Sequence, residues 1–155
     1  MIRKILERVT EAISSADGAG AGGMERDAAL RMATAILMID VARADSVFDE
    51  SEFDALLDLV ASHFALPAEQ AAELVIAANE KADDMVSVHE FTQLLHENLS
   101  ENEKARIIAL LWKIAYADGR LDKYEDSLVL KISDLLYVSR GRVMRLKHDA
   151  EQAAN

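Results

Sequence analysis

The chain has 155 residues, of which 51% are hydrophobic, 29% are charged and none is cysteine, and its formal net charge is −11. This composition excludes a wholly disordered chain, disulfides and thiolate metal sites, and the length is that of one domain. Residues 40–103 hold sixteen acidic and two basic residues. Such a segment repels phosphate backbones, so we expect no nucleic-acid partner.

Residues 1–13 are predicted to form an amphipathic helix, because apolar side chains recur there at helical spacing. Residues 14–23 contain four glycines and two serines, a composition typical of a flexible linker. The chain shows neither a signal peptide nor an apolar run of about 20 residues, the length needed to cross a bilayer. We therefore expect a soluble cytoplasmic protein without a transmembrane segment.

Residues 24–150 are predicted to form an all-α domain, which gives about seven to eight helices in total. Two long helices, at about 25–44 and 101–117, are apolar on most sides and should pair at the centre. Amphipathic helices should wrap them, including those predicted at 50–64 and 122–136. Ser100 and Glu103 have the spacing of a capping box, which predicts the start of the second long helix.

An acidic turn with the pattern Asp-x-x-x-Asp-x-x-Glu follows each long helix. The first copy consists of Asp45, Asp49 and Glu52, and the second, 73 positions later, of Asp118, Asp122 and Glu125. In both copies an apolar helix precedes the turn and an amphipathic helix follows it. The repetition predicts that the domain consists of two pseudo-repeated helical hairpins.

Two interpretations of these turns are open. Three carboxylates within one turn repel each other unless a cation or several amide donors neutralise them, and hard oxygen ligands suit calcium or magnesium. Alternatively, Asp49 and Asp122 are N-caps, with Glu52 and Glu125 at the capping-box position, and no metal binds. The eight positions from Asp118 to Glu125 are too few for an EF-hand loop.

The stretch from Ile114 to Glu125, Ile-Ala-Tyr-Ala-Asp-Gly-Arg-Leu-Asp-Lys-Tyr-Glu, together with its weaker first copy, resembles the tellurite-resistance TerB-like domain family. The resemblance covers residues 24–150. It implies a small, acidic, all-helical, non-enzymatic protein linked to chemical stress. It also implies a divalent-metal site at Asp118, Asp122 and Glu125, and at the matching residues of the first turn. Related domains occur in membrane-associated co-chaperones.

No nucleophile–base motif, phosphate-binding glycine loop or zinc-protease motif is present, so we expect no enzymatic activity. Trp112 and Tyr116, one turn apart, are predicted to be core residues, and His89 and His96 are predicted to be solvated or capping. Two functions follow from the sequence. One is a cation-responsive adaptor in a stress-response assembly, with a basic or membrane-associated protein partner. The other is a metal-free protein-interaction domain. A homo-oligomer is compatible with both.

Overall fold

The computed structural model of the chain describes residues 20–44, 50–82, 89–117 and 121–154. In these ranges the chain forms seven α-helices and no strand, which confirms the all-α prediction. The helices are α1 (Gly20–Ala42), α2 (Glu50–Phe64), α3 (Ala68–Ala82), α4 (His89–Asn98), α5 (Glu101–Ala115), α6 (Lys123–Leu135) and α7 (Arg140–Ala154). None of these described helices has the length and hydrophobicity needed to span a bilayer.

The core lies around α1 and α5, which pack against each other. Every residue from Ala33 to Ile39 in α1 is buried, and so are both Leu111 and Trp112 in α5. A helix that is buried on all sides must be enclosed by others, and α3 covers α1 while α7 covers α5. Full burial of each large aliphatic side chain contributes about 1.5–3 kcal/mol. The prediction of two central apolar helices is confirmed.

Helix α1 begins earlier than the sequence predicts. It starts at Gly20 rather than near Glu25, so its first turn includes residues 20–23 of the predicted linker. Each glycine in a helix interior costs about 1 kcal/mol relative to alanine, which is why the sequence favours a later start. A helix anchored by its buried second half does not need these residues for nucleation, and it extends through them. The predicted helix at 1–13 and linker residues 14–19 lie outside the described ranges.

The start of α5 has the predicted capping box. The Glu103 amide donates to the Ser100 hydroxyl at 3.2 Å, and the Ser100 amide donates to Glu103 Oε1 at 3.0 Å. These two bonds satisfy donors that the first turn of a helix otherwise leaves unpaired. The local sequence pattern therefore predicted this helix start correctly.

Helices α2 and α6 are each followed, within two residues, by a residue with left-handed backbone that is not glycine. Ala65 has φ 53° and Tyr137 has φ 61°. The amide that follows each residue donates back to the last turn, from Leu66 to Ala61 at 3.0 Å and from Val138 to Ser133 at 3.2 Å. This is the Schellman arrangement, which satisfies carbonyls at a helix end. The same device thus turns the chain from α2 into α3 and from α6 into α7.

The helix bounds keep the spacing of the sequence repeat. Helix α1 ends at Ala42 and α5 at Ala115, while α2 begins at Glu50 and α6 at Lys123, and both pairs are 73 positions apart. The equivalence of the two halves in space stays a prediction. We expect residues 28–62 to superpose on residues 101–135 helix for helix. Matching helices that point in different directions after superposition would contradict a structural repeat.

Candidate functional site

The structure describes the side chains of two of the six predicted metal ligands, Asp122 and Glu125 at the start of α6. Asp45, Asp49 and Asp118 lie outside the described residues. Glu52 belongs to α2, but its side chain lies outside the described part of the structure. At the second turn, the last residues of α5 and the first residues of α6 lie within the described ranges.

Asp122 is the N-cap of α6. Its backbone is extended, with φ −79° and ψ 143°, and its Oδ1 accepts a hydrogen bond from the Tyr124 amide at 2.7 Å. This bond satisfies one of the unpaired amides of the first turn, and the negative charge complements the helix dipole. The predicted N-cap role of Asp122 is confirmed.

Glu125 is three residues further on, at the position where a capping box places a glutamate. Only 2% of its surface is exposed, so it is one of the few charged residues in the described core. Glu103, at the same position of α5, remains partly exposed while its carboxylate accepts the cap amide. The two glutamates occupy the same position in their helices, yet Glu125 is held in the protein interior.

Among the residues that the structure describes, no three aspartate, glutamate or histidine side chains are grouped so that they could hold a metal ion. Asp118 is not one of those residues, so the predicted set of three carboxylates at the second turn is not tested. The described residues show a partly exposed carboxylate, Asp122, at the N-cap of α6 and a buried carboxylate, Glu125, in its first turn.

The elements on either side of the second turn are held together by a charged cluster. Lys147 of α7 donates to Asp126 Oδ1 of α6 at 2.7 Å, and its Nζ lies 5.3 Å from the ring centroid of Trp112 in α5. Both members of the ion pair are partly buried, with 21% and 27% of their side-chain surface exposed, and a charge-assisted hydrogen bond is stronger than a neutral one. Through these two contacts Lys147 links α5, α6 and α7 next to the turn.

Burial raises the pKa of the nearby Tyr116 hydroxyl, and the charge of Glu151 raises it further.

Trp112 is fully buried and Tyr116 is 9% exposed, as the sequence predicts for core residues. The prediction for the histidines is wrong for His96. Its Nδ1 lies 2.6 Å from Lys104 Nζ, and its ring centroid lies 4.4 Å from that of Tyr137, with the two ring planes at 40°. Since an ammonium only donates, this contact requires Nδ1 to be the unprotonated ring nitrogen.

Lys104 is the charged residue that sequence reasoning missed. It is 2% exposed, and besides His96 it contacts Glu101 at 3.3 Å. A signal was present, because Lys104 lies one turn before Ile108 on the buried stripe of α5. The identity of its partner on α4 depends on how two helices pack, which helical spacing alone does not contain.

Comparison with known proteins agrees with this architecture. The family model described as tellurite resistance protein TerB matches residues 31–148, which include the second half of α1, all of α2 to α6 and all but the last six residues of α7. No curated protein and no solved structure gives a significant match. Because the match covers most of the sequence, including the buried half of α1 and all of α5, the chain belongs to the TerB family.

Proposed function

We propose that this TerB-family chain is a non-enzymatic adaptor whose second acidic turn binds calcium or magnesium through Asp118, Asp122 and Glu125. The observation that supports the proposal is the burial of Glu125 beside the turn. Glu125 already has an interaction partner in the structure, and because a carboxylate has two oxygens with several lone pairs, it can bind a cation in addition. Capping does not require this burial, since Glu103 caps α5 while partly exposed.

The number of oxygen ligands that each cation requires shows whether one turn could fill the whole coordination sphere. Calcium takes six to eight oxygen ligands, and magnesium six, usually with several waters. Three carboxylates and the carbonyl groups of one turn leave positions for water or for an oxygen from another molecule. The first turn has the same acidic residues, Asp45, Asp49 and Glu52, and we assign it the same role. It has Ser46 where the second turn has Gly119.

We propose that the partner of the adaptor is a basic or membrane-associated protein. The support is the distribution of charge, because sixteen acidic and two basic residues lie between positions 40 and 103. Opposite charge accelerates association and selects partners. Cation binding at the first turn, which lies in this segment, would lower its negative charge and so make association depend on the metal.

The second candidate function is a metal-free interaction domain whose acidic turns are only helix caps. The observation that favours it is the 2.7 Å bond from the Tyr124 amide to Asp122. This bond gives Asp122 a structural role without any metal. The two candidates differ in one respect that can be measured, which is whether the negative charge of the turn is needed as well as its acceptor oxygens.

The double variant Asp122→Ser, Glu125→Gln separates the two functions. Serine and glutamine keep the acceptor oxygens of a cap, so helix α6 should form and the loss of stability should be about 1 kcal/mol. In the unmodified chain, calcium or magnesium at about 100 times its dissociation constant should raise Tm by about 5–10 °C. In the double variant this increase should shrink to the part contributed by the first turn, or vanish if the first turn binds no metal. Thermal unfolding followed by circular dichroism, with the metal or with a chelator, measures both effects.

The matched control is Asp58→Asn, Glu73→Gln, which removes two exposed carboxylates from the acidic segment away from both turns. It should retain the increase in Tm. An equal decrease in both variants would identify general screening of the acidic segment. No increase in the unmodified chain would leave helix capping as the whole role of the second turn.

A further inference from the structure

A cavity of about 310 Å³ lies between the central helices α1 and α5, beside the C-terminal end of α2. Its volume is at the lower end of the range found for small-molecule sites. It is lined by apolar side chains and also by cationic ones. Its lining includes Arg31 and Thr34 from α1, His63 and Phe64 from α2, and Arg106 and Ile107 from α5.

The two arginines of this cavity have no hydrogen bond or ion pair with any residue in the described part of the chain. Other arginines do have partners there: Arg140 donates to both carboxylate oxygens of Asp134, at 3.1 and 3.0 Å. Arg31 is partly buried and Arg106 is exposed. Two like charges that line one small cavity repel each other, and an anion between them would remove this repulsion.

One carboxylate also lines the cavity, that of Glu103. Its Oε1 already accepts the Ser100 amide in the capping box of α5, at 3.0 Å, which holds it at the helix start. The local field is nevertheless positive at His63. Burial lowers the pKa of His63, and the charges of Arg106 and Lys113 lower it further. In a chain of net charge −11 this is a local concentration of positive charge.

We propose that the cavity binds a small organic anion, whose phosphate or carboxylate group pairs with Arg31 and Arg106 and whose apolar part contacts Phe64 and Ile107. Guanidinium groups bind both oxyanions through paired hydrogen bonds. An apolar lining with a few converging polar groups is the usual composition of a ligand pocket. The site is separate from the acidic turns, and it has the opposite charge preference.

The test uses the full chain and four probes: phenyl phosphate, benzoate, inorganic phosphate and the neutral benzyl alcohol. In ¹⁵N-resolved NMR titrations at constant ionic strength, phenyl phosphate or benzoate should shift the amides of Arg31, Thr34, Arg106 and Ile107 in a saturable way. Bound anion should also raise the pKa of His63, because negative charge next to an imidazole stabilises its protonated form. Inorganic phosphate should bind more weakly than phenyl phosphate, and benzyl alcohol should leave the pKa of His63 unchanged.

The double variant Arg31→Gln, Arg106→Gln should weaken binding of phenyl phosphate at least about tenfold, since charged hydrogen bonds to both arginines are lost. Neither side chain is fully buried, so the fold should be retained, which the dispersion of the NMR spectrum checks directly. The control Lys123→Gln, Arg145→Gln removes two exposed charges elsewhere and should bind as the unmodified chain does. Unchanged affinity in the arginine variant, or equal binding of inorganic and phenyl phosphate, would overturn the proposal.

Discussion

Trp112→Ala should lower the free energy of unfolding by about 3–5 kcal/mol, because it removes the largest side chain of the core and leaves a cavity. Trp112 is fully buried on the central helix α5. The substitution also removes the aromatic ring whose centroid lies 5.3 Å from Lys147 Nζ. The ammonium group that pairs with Asp126 therefore loses its contact with this ring. Urea unfolding followed by far-ultraviolet circular dichroism measures the change, with the m-value expected to stay constant.

Two controls show whether the loss comes from volume. The indole Nε1 of Trp112 has no hydrogen-bond partner among the described residues. Trp112→Phe therefore breaks no such bond there, and its loss should be clearly smaller than that of the alanine variant. Met144 is 43% exposed, and Met144→Ala should change stability by no more than about 0.5 kcal/mol. A loss below about 1 kcal/mol for Trp112→Ala would be incompatible with the central position of this side chain.

The second large effect is expected at the buried contact between His96 and Lys104. His96→Ala should cost about 1–3 kcal/mol, because it removes an acceptor from a buried ammonium group. Lys104 is 2% exposed, and its other partner, Glu101, is 63% exposed. An exposed carboxylate is screened by water and stabilises the ammonium only weakly. In a Lys104→Met background the same histidine substitution should cost much less, because an apolar side chain needs no partner.

A double-mutant cycle measures this coupling, which we expect to be between about 0.5 and 3 kcal/mol. The ring contact of His96 with Tyr137 is lost in both backgrounds, so it cancels in the cycle. Gln93→Ala, an exposed change on the same helix, controls for helix propensity and should give no coupling with Lys104→Met. Additive effects of His96→Ala and Lys104→Met would show that the 2.6 Å contact contributes nothing to stability.

The central part of the fold could be predicted because burial on all sides requires apolar residues on all sides. Residues 33–39 contain only apolar residues and one threonine. The hydroxyl of Thr34 donates a hydrogen bond to the Leu30 carbonyl at 2.8 Å, so it needs no water molecule as a partner. The start of α1 could not be predicted in the same way. Local propensity penalises Gly20, Gly22 and Gly23, but the buried part of the same helix outweighs that penalty.

Only those features of the candidate site that depend on residues close together in the sequence could be predicted. The cap at Asp122 depends on residues next to each other in the chain, and it forms as expected. Burial of Glu125 also had a signal, because it continues the stripe of Val129 and Ile132 on α6 at helical spacing. The cavity beside Arg31 and Arg106 had none. Its lining comes from helices far apart in sequence, and only their packing brings the two cations to one place.

The mutual burial of α1 and α5 has a consequence for how the domain folds. Helix α3 covers one side of α1, and helix α7 covers one side of α5. The side of α1 that α3 leaves open is covered by α5, and the side of α5 that α7 leaves open is covered by α1. A fragment of residues 20–82 would therefore expose a continuous apolar stripe and should self-associate rather than remain a monomer. For the same reason neither half should melt before the other. We expect a single cooperative unfolding transition, with equal calorimetric and van't Hoff enthalpies.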